Sequence, residues 1–252
     1  MTGRFQNRVV TVTGGAAGIG RATCERFATE GATVIVVDQD GEKASDVADS
    51  IDGLAIEADV SNSDAIERMG RKIETHVDGV DVLVNNAGVR IPPAPIPETP
   101  ERDWDRIIDV NLRGMVRCSR AIIPQMDGGA IINVASIGAA GARPGWTAYD
   151  ATKGAIVSMT RDMAADHGPS GIRVNVVSPG WVVTDYHLRG MDTDEAERFF
   201  AEKTTRGGAD GVILERAGKP HEIAAAIAFL ASDDASFITG IDLPVNGGWP
   251  IL

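Results

Sequence analysis

The sequence predicts a doubly wound α/β fold, Rossmann-like, with a parallel β-sheet of about seven strands and helices on both faces. Three observations carry that expectation. Short, continuous Val/Ile runs recur along the chain, as strands buried on both faces require. Stretches of helical periodicity separate them. The first run passes directly into a glycine cluster that opens a helix.

In chain order, Val9 to Val12 reads as the first strand, followed by Thr13-Gly14-Gly15-Ala16-Ala17-Gly18-Ile19-Gly20 and a helix from Ile19 to Glu30. Thr33 to Val37 is the second strand and ends at Asp38; Leu54 to Ala58 is the third. A helix over Asp64 to His76 leads to a strand at Val80 to Val84. Pro92 to Pro100 reads as a surface loop near the strand ends. Thr99 and Pro100, a cap residue followed by a first-turn proline, predict a helix running from Pro100 to Met126. Strands at Ala130 to Val134, Ile172 to Val177 and Ile241 to Val245 complete the sheet, with helices over Tyr149 to His167 and Pro220 to Ala231.

No repeat, low-complexity tract or linker divides these elements, so residues 1–252 are expected to form one domain. The 43% hydrophobic content is enough for one sizeable core. A formal net charge of -12 argues against nucleic acid or an anionic membrane as partner. Only Cys24 and Cys118 occur, far apart, so no disulfide framework or cysteine zinc site is suggested and a reducing cytoplasm fits. Neither a signal-peptide pattern at Met1 to Gly15 nor an apolar run of membrane-spanning length is found. The four histidines have no ligand spacing, and no metal is expected.

Chemistry concentrates between Ser136 and Lys153. Tyr149 and Lys153, four apart, rise from one helix face. An ammonium about 4 Å from a phenol favours the phenolate by roughly 4 kcal/mol at an effective dielectric near 20, about three pKa units before screening. That brings Tyr149 towards useful acid/base range. Ser136, across the small-residue loop Gly138 to Gly141, can hold a substrate oxygen against the phenol. At the other end of the chain's chemistry, the glycine cluster lets a backbone approach phosphates at a helix N-terminus. Asp38, twenty residues after Gly18, suits the ribose hydroxyls of a dinucleotide.

These motifs, together with Asp59-Val60, Asn85-Asn86-Ala87-Gly88, Asn111 and Pro179-Gly180 followed by Thr184, resemble the short-chain dehydrogenase/reductase family over essentially the whole chain. The resemblance implies that Tyr149 is the general acid/base, that Ser136 orients the substrate oxygen, and that Lys153 lowers the tyrosine pKa while binding the nicotinamide ribose. It implies that Asn111 anchors a relay water. Asp59 and Val60 would line the adenine pocket, and Asn86, Ala87 and Gly88 the cofactor bed. Pro179, Gly180, Val182 and Thr184 would receive the nicotinamide end, with Gly14, Ala17, Gly18, Ile19 and Gly20 at the pyrophosphate.

The expected activity is therefore hydride transfer between NAD and a small-molecule secondary alcohol or ketone. The alternatives are an NADP-dependent ketoreductase and a catalytically idle dinucleotide-binding regulator. Asp38, and the absence of a basic residue at Ala17, favour NAD. The segment 185–216, with Tyr186, His187, Leu188, Met191, Phe199 and Phe200, suits either a substrate lid or a helical excursion packed on the body. Arg90, Ile91, Ile137, Trp146, Trp181 and His187 are expected near the substrate. Where acyl-carrier reductases of the family would place basic residues, Asp127 and Ser170 align, which argues against that role. Finally, Tyr149, Lys153, Ile156 and Thr160 share one helical stripe, while Ala151, Gly154, Ala155, Ser158 and Ala165 form a small-residue stripe opposite. With the family resemblance, that second stripe implies a homotetramer or homodimer.

Overall fold

The computed structural model describes residues 3–184, 191, 194, 195, 198, 199 and 211–249. Seven strands form one sheet in the order β3-β2-β1-β4-β5-β6-β7, and every neighbouring pair is parallel. They are β1 (Val9–Thr13), β2 (Thr33–Asp38), β3 (Leu54–Glu57), β4 (Val82–Asn85), β5 (Gly129–Val134), β6 (Ile172–Pro179) and β7 (Asp242–Val245). The helices that flank the sheet among the described residues include α1 (Gly18–Thr29), α2 (Gly41–Ser50), α3 (Ser63–Glu74), α4 (Glu101–Ile108), α5 (Gly114–Ile122), α6 (Thr147–His167) and α7 (Pro220–Ala231).

The continuous apolar runs are explained by burial on both faces. Along β2, Val34 and Val36 join one core with Phe27 and, from α7, Ile223 and Ile227. Ile35 and Val37 point the other way, into a core with Ile66 and Met69 of α3 and Ile122 of α5. Alternate residues face opposite layers, so a strand covered on both sides cannot show polar alternation.

One element was missed and two expectations need correction. Helix α2 was not predicted, although Asp40 caps it by accepting from the Lys43 N–H at 3.2 Å, and Ala44, Val47 and Ala48 form its buried stripe. The helix expected from Pro100 to Met126 is interrupted: α4 passes through a π-helical turn at Asp109–Arg113 into α5, and a 3₁₀ turn at Ile123–Gln125 ends it. Thr99 does not cap α4. Its hydroxyl donates back to the carbonyls of Ala94 and Pro95 at 3.2 and 3.1 Å, and Pro100 occupies the cap position. The segment 185–216 lies largely outside the described residues. Among those residues, no helix is long and apolar enough to cross a membrane.

Candidate active site

Strand order reverses between β1 and β4, and a crevice opens at their carboxyl ends. Polar bonds fix its mouth. Thr13 Oγ1 accepts from the N–H groups of Asn86 and Ala87 at 3.1 and 3.2 Å, and Asn86 Nδ2 donates to the carbonyls of Thr13 and Gly14 at 3.0 Å each. Around this mouth lies a cleft of about 770 Å³. Every residue expected to touch the cofactor lines it, with the exception of Gly20.

Gly20 acts behind the wall: a Cβ there would overlap the Gly14 carbonyl, so its absence lets α1 sit against the end of β1. Gly14 has φ +65°, and a Cβ on it would come within 2.9 Å of Ala87 Cα. This bare backbone is a cradle that side chains would fill. Ala17, at the N-cap of α1, supplies no side-chain acceptor to the first helical turn, which suits an incoming phosphate.

Asp38 lines the far end of the cleft, where Oδ2 accepts from the Ala16 N–H and Oδ1 from the Asp40 N–H, both at 3.1 Å. The carboxylate is thus oriented, and each oxygen keeps acceptor capacity for a ribose hydroxyl. Beside it, Asp59 Oδ1 accepts from both the N–H and the hydroxyl of Ser61 at 2.8 Å, shaping the turn that presents Asp59 and Val60. These are the features a nicotinamide dinucleotide needs: a glycine cradle for pyrophosphate and a carboxylate for the adenosine ribose.

At the opposite end stand Ser136, Tyr149 and Lys153. Tyr149, Lys153, Ile156 and Thr160 are all buried, as the α6 stripe requires. A polar ladder ties that stripe to the sheet: Thr160 Oγ1 accepts from Asn133 Nδ2 at 3.0 Å, and Asn133 Oδ1 accepts from Asn85 Nδ2 at 2.9 Å. Lys153 Nζ donates to the Val134 carbonyl at 2.8 Å and lies 5.7 Å from the centroid of the Tyr149 ring.

Burial pushes the Tyr149 phenol up, but Lys153, Arg90, the Ser136 hydrogen bond and Arg143 outweigh it and hold the phenol below its ordinary value. Burial also lowers the Lys153 ammonium, against the pull of Tyr149 and with a further push from Arg90. Ser136 Oγ accepts from the Gly138 N–H at 3.2 Å, which fixes one side of the hydroxyl, and Ser136 is among the groups that lower the Tyr149 phenol.

Asn111 does not line the cleft. Its Oδ1 accepts from the Val89 N–H at 2.7 Å, while Nδ2 donates to the Val89 carbonyl at 3.0 Å and to Thr152 Oγ1 at 3.3 Å. From the π-helical turn it therefore braces the strand-end segment leading to Arg90. Arg90 lines the cleft beside Tyr149, its guanidinium 5.7 Å from the ring centroid. Ile91 and Trp146 pack with Tyr149, whereas Ile137 joins Val212, Trp181 and Trp249. His187 lies outside the described residues.

Sequence reasoning did not single out Arg143 or Asp150. They form a largely enclosed ion pair, with side chains 11% and 15% exposed, through contacts of Nη2 with Oδ1 and of Nε with Oδ2, the latter at 3.3 Å. The Arg143 guanidinium stacks 4.7 Å from the Trp146 ring centroid and 5.6 Å from that of Tyr149. Burial raises the Asp150 carboxyl above its ordinary value, although Arg143 pulls it down. The one sequence signal was a carboxylate directly after Tyr149, seven residues from an arginine across a glycine-containing loop.

Residues 14–250 match a family model described as enoyl-(acyl carrier protein) reductase. Among curated relatives, meso-2,3-butanediol dehydrogenase of Serratia marcescens is 40% identical over 250 residues, covering 97% of this chain and 95% of the relative. A 3-oxoacyl-(acyl-carrier-protein) reductase of Thermotoga maritima is 36% identical, covering 97% and 98%. Among solved structures, a 3-ketoacyl-(acyl-carrier-protein) reductase from Brucella melitensis, complexed with NADH, superposes with a TM-score of 0.85 at 34% identity, covering 97% of this chain and 98% of that one.

Proposed function

This chain belongs to the short-chain dehydrogenase/reductase family, oxidoreductases acting on CH–OH groups, and on that footing we propose that it transfers a hydride between NAD and a secondary alcohol or ketone, with Tyr149 as general acid/base. The observation that carries this reading is one cleft with a buried Tyr149–Lys153 pair and Ser136 at one end and a glycine cradle with Asp38 at the other.

Bound NAD supplies the hydride acceptor for alcohol oxidation. Ser136 holds the substrate oxygen, and the Tyr149 phenolate takes the hydroxyl proton; in ketone reduction the phenol returns it. Lys153 favours the phenolate by charge. Both amide hydrogens of Asn111 bond to Val89 and Thr152, so Asn111 would anchor a relay water only through an oxygen acceptor. Asp38 argues for NAD, since a 2′-phosphate would remove its donor and face it with like charge. Asp127 and Ser170 point away from an acyl-carrier substrate and towards a small secondary alcohol. We further propose a homo-oligomer, a single catalytic domain and a cytoplasmic setting.

The test is a screen of secondary polyols, cyclic alcohols and hydroxy acids, followed by nicotinamide absorbance, with Tyr149→Phe beside the wild type. Tyr149→Phe is expected to lose turnover while keeping NAD affinity, because it removes one oxygen and little cofactor contact. Retention of more than about a hundredth of wild-type turnover would overturn the acid/base assignment, since such catalysis contributes about 10² to 10⁴.

A further inference from the structure

We propose that the Arg143–Asp150 ion pair is a positioning device that sets the Ser136 hydroxyl and the charge around Tyr149. It deepens the reading above, resting on Tyr149 as the group that moves the proton.

The pair joins two pieces of the site that are separate in sequence. Asp150 belongs to the first turn of α6, one residue after Tyr149, and Arg143 to the loop between β5 and α6. Both pack on the main chain of Gly138. A Cβ at Gly138 would overlap Asp150 Oδ1 and Arg143 Nη2, so only a bare backbone lets the pair close there. Gly138 in turn donates its N–H to Ser136 Oγ at 3.2 Å. The mechanical path is therefore short: the pair packs on the Gly138 turn, the turn occupies one lone pair of the Ser136 hydroxyl, and the hydroxyl proton stays free to turn towards a substrate oxygen or Tyr149.

The electrostatic path is separate. Arg143 presents a cation to the tyrosine ring at 5.6 Å, and Asp150 partly neutralises it from the same helix that carries Tyr149. Among the described residues, the other charged groups facing the phenol are Lys153 on α6 and Arg90 after β4, with Arg106 of α4 along the same cleft. Three cations around one phenol would over-stabilise the phenolate, the form that cannot return a proton to a ketone. Asp150 trims that field while holding Arg143 in place.

Two paths give a test that does not need the substrate. The chain has two tyrosines, Tyr149 and Tyr186, so in a Tyr186→Phe background the near-ultraviolet tyrosinate absorbance reports Tyr149 alone. Replacing Arg143 by Met removes a cation and moves this titration upward by about half a unit to one unit; replacing Asp150 by Asn leaves the cation uncompensated and moves it downward by a similar amount. Arg143→Lys keeps the charge and restores the wild-type titration. Gly138→Ala, at a backbone conformation that tolerates alanine, displaces the pair without changing any charge.

Once the screen has supplied a substrate, Arg143→Met and Gly138→Ala each lose about tenfold or more in kcat with the NAD affinity unchanged, as expected for a misplaced proton-transfer geometry. A merely structural pair would lower thermal stability in all variants and move the titration in neither direction, or in one direction for both. Either of those results overturns the proposal. A wild type that binds NAD and turns over no alcohol would overturn the functional reading, while opposite shifts of the Tyr149 titration would still support the pair's electrostatic role.

Discussion

At the residue scale, the proposed preference for NAD turns on Asp38. Charge-assisted hydrogen bonds to the ribose hydroxyls contribute about 1.5 to 3 kcal/mol, and repulsion of a 2′-phosphate adds to the difference. Together they amount to roughly 3 to 4 kcal/mol, a preference for NAD of about 10² to 10³ in kcat/KM. Asp38→Ala combined with Ala17→Arg is expected to bring the two cofactors to parity or reverse them; better use of NADP by the wild type would contradict the argument. Tyr149 gives a second expectation at this scale. Because its phenol lies below the ordinary value, alcohol oxidation, which needs the phenolate, rises with pH through that lowered pKa, and ketone reduction falls over the same range. A pH profile of kcat/KM in both directions checks the opposite signs. That Asp38 and Tyr149 line one cleft was legible in the sequence because each sits at a fixed step from a neighbouring signal: the glycine cluster for one, Lys153 for the other. Arg143 and Asp150 were not, since their meeting depends on how the loop folds over Gly138.

At the scale of elements, strands were the most legible feature, because burial on both faces leaves an unbroken apolar run that little else produces. Helix α2 was obscured by its acidic, small-residue composition, although Asp40 and the spacing of Ala44, Val47 and Ala48 mark it. The break at Asp109–Arg113 has no local signal, as its residues suit an ordinary helix; the structure places there Asn111, whose bonds reach across to Val89. That origin in tertiary contacts yields an expectation. Asn111→Ala leaves the Val89 N–H and carbonyl without their partners and is expected to cost about 2 to 3 kcal/mol, read as a lowered Tm. Unchanged thermal unfolding would show that the turn stands without Asn111. The Thr99 hydroxyl makes the same point from the other side, since a cap-like sequence was claimed by the preceding turn.

At the scale of the whole molecule, the described residues leave much of the small-residue face of α6 uncovered. Ala151, Ser158 and Ala165 are exposed, and a Cβ on Gly154 would meet nothing within 4 Å. Small side chains permit a second helix to approach closely, and an isologous pair places this face against its own copy. Light scattering is expected to give an even-numbered multiple of 26.5 kDa, and Ala155→Arg is expected to dissociate it. A 26.5 kDa particle from the unaltered protein at micromolar concentration would contradict this. The sheet order has a consequence of another kind, for a chain emerging from the ribosome. β2 and β3 line up outward from β1, so its inner edge keeps a row of unpaired amides until residues 82–85 arrive. One wall of the crevice is Thr13 and Gly14, and the other is Asn86 to Gly88. A nascent chain thus has glycines and a carboxylate but only one wall of the crevice, so the proposed dinucleotide would bind only once the two halves of the sheet have docked, and would then stabilise the docked form by mass action.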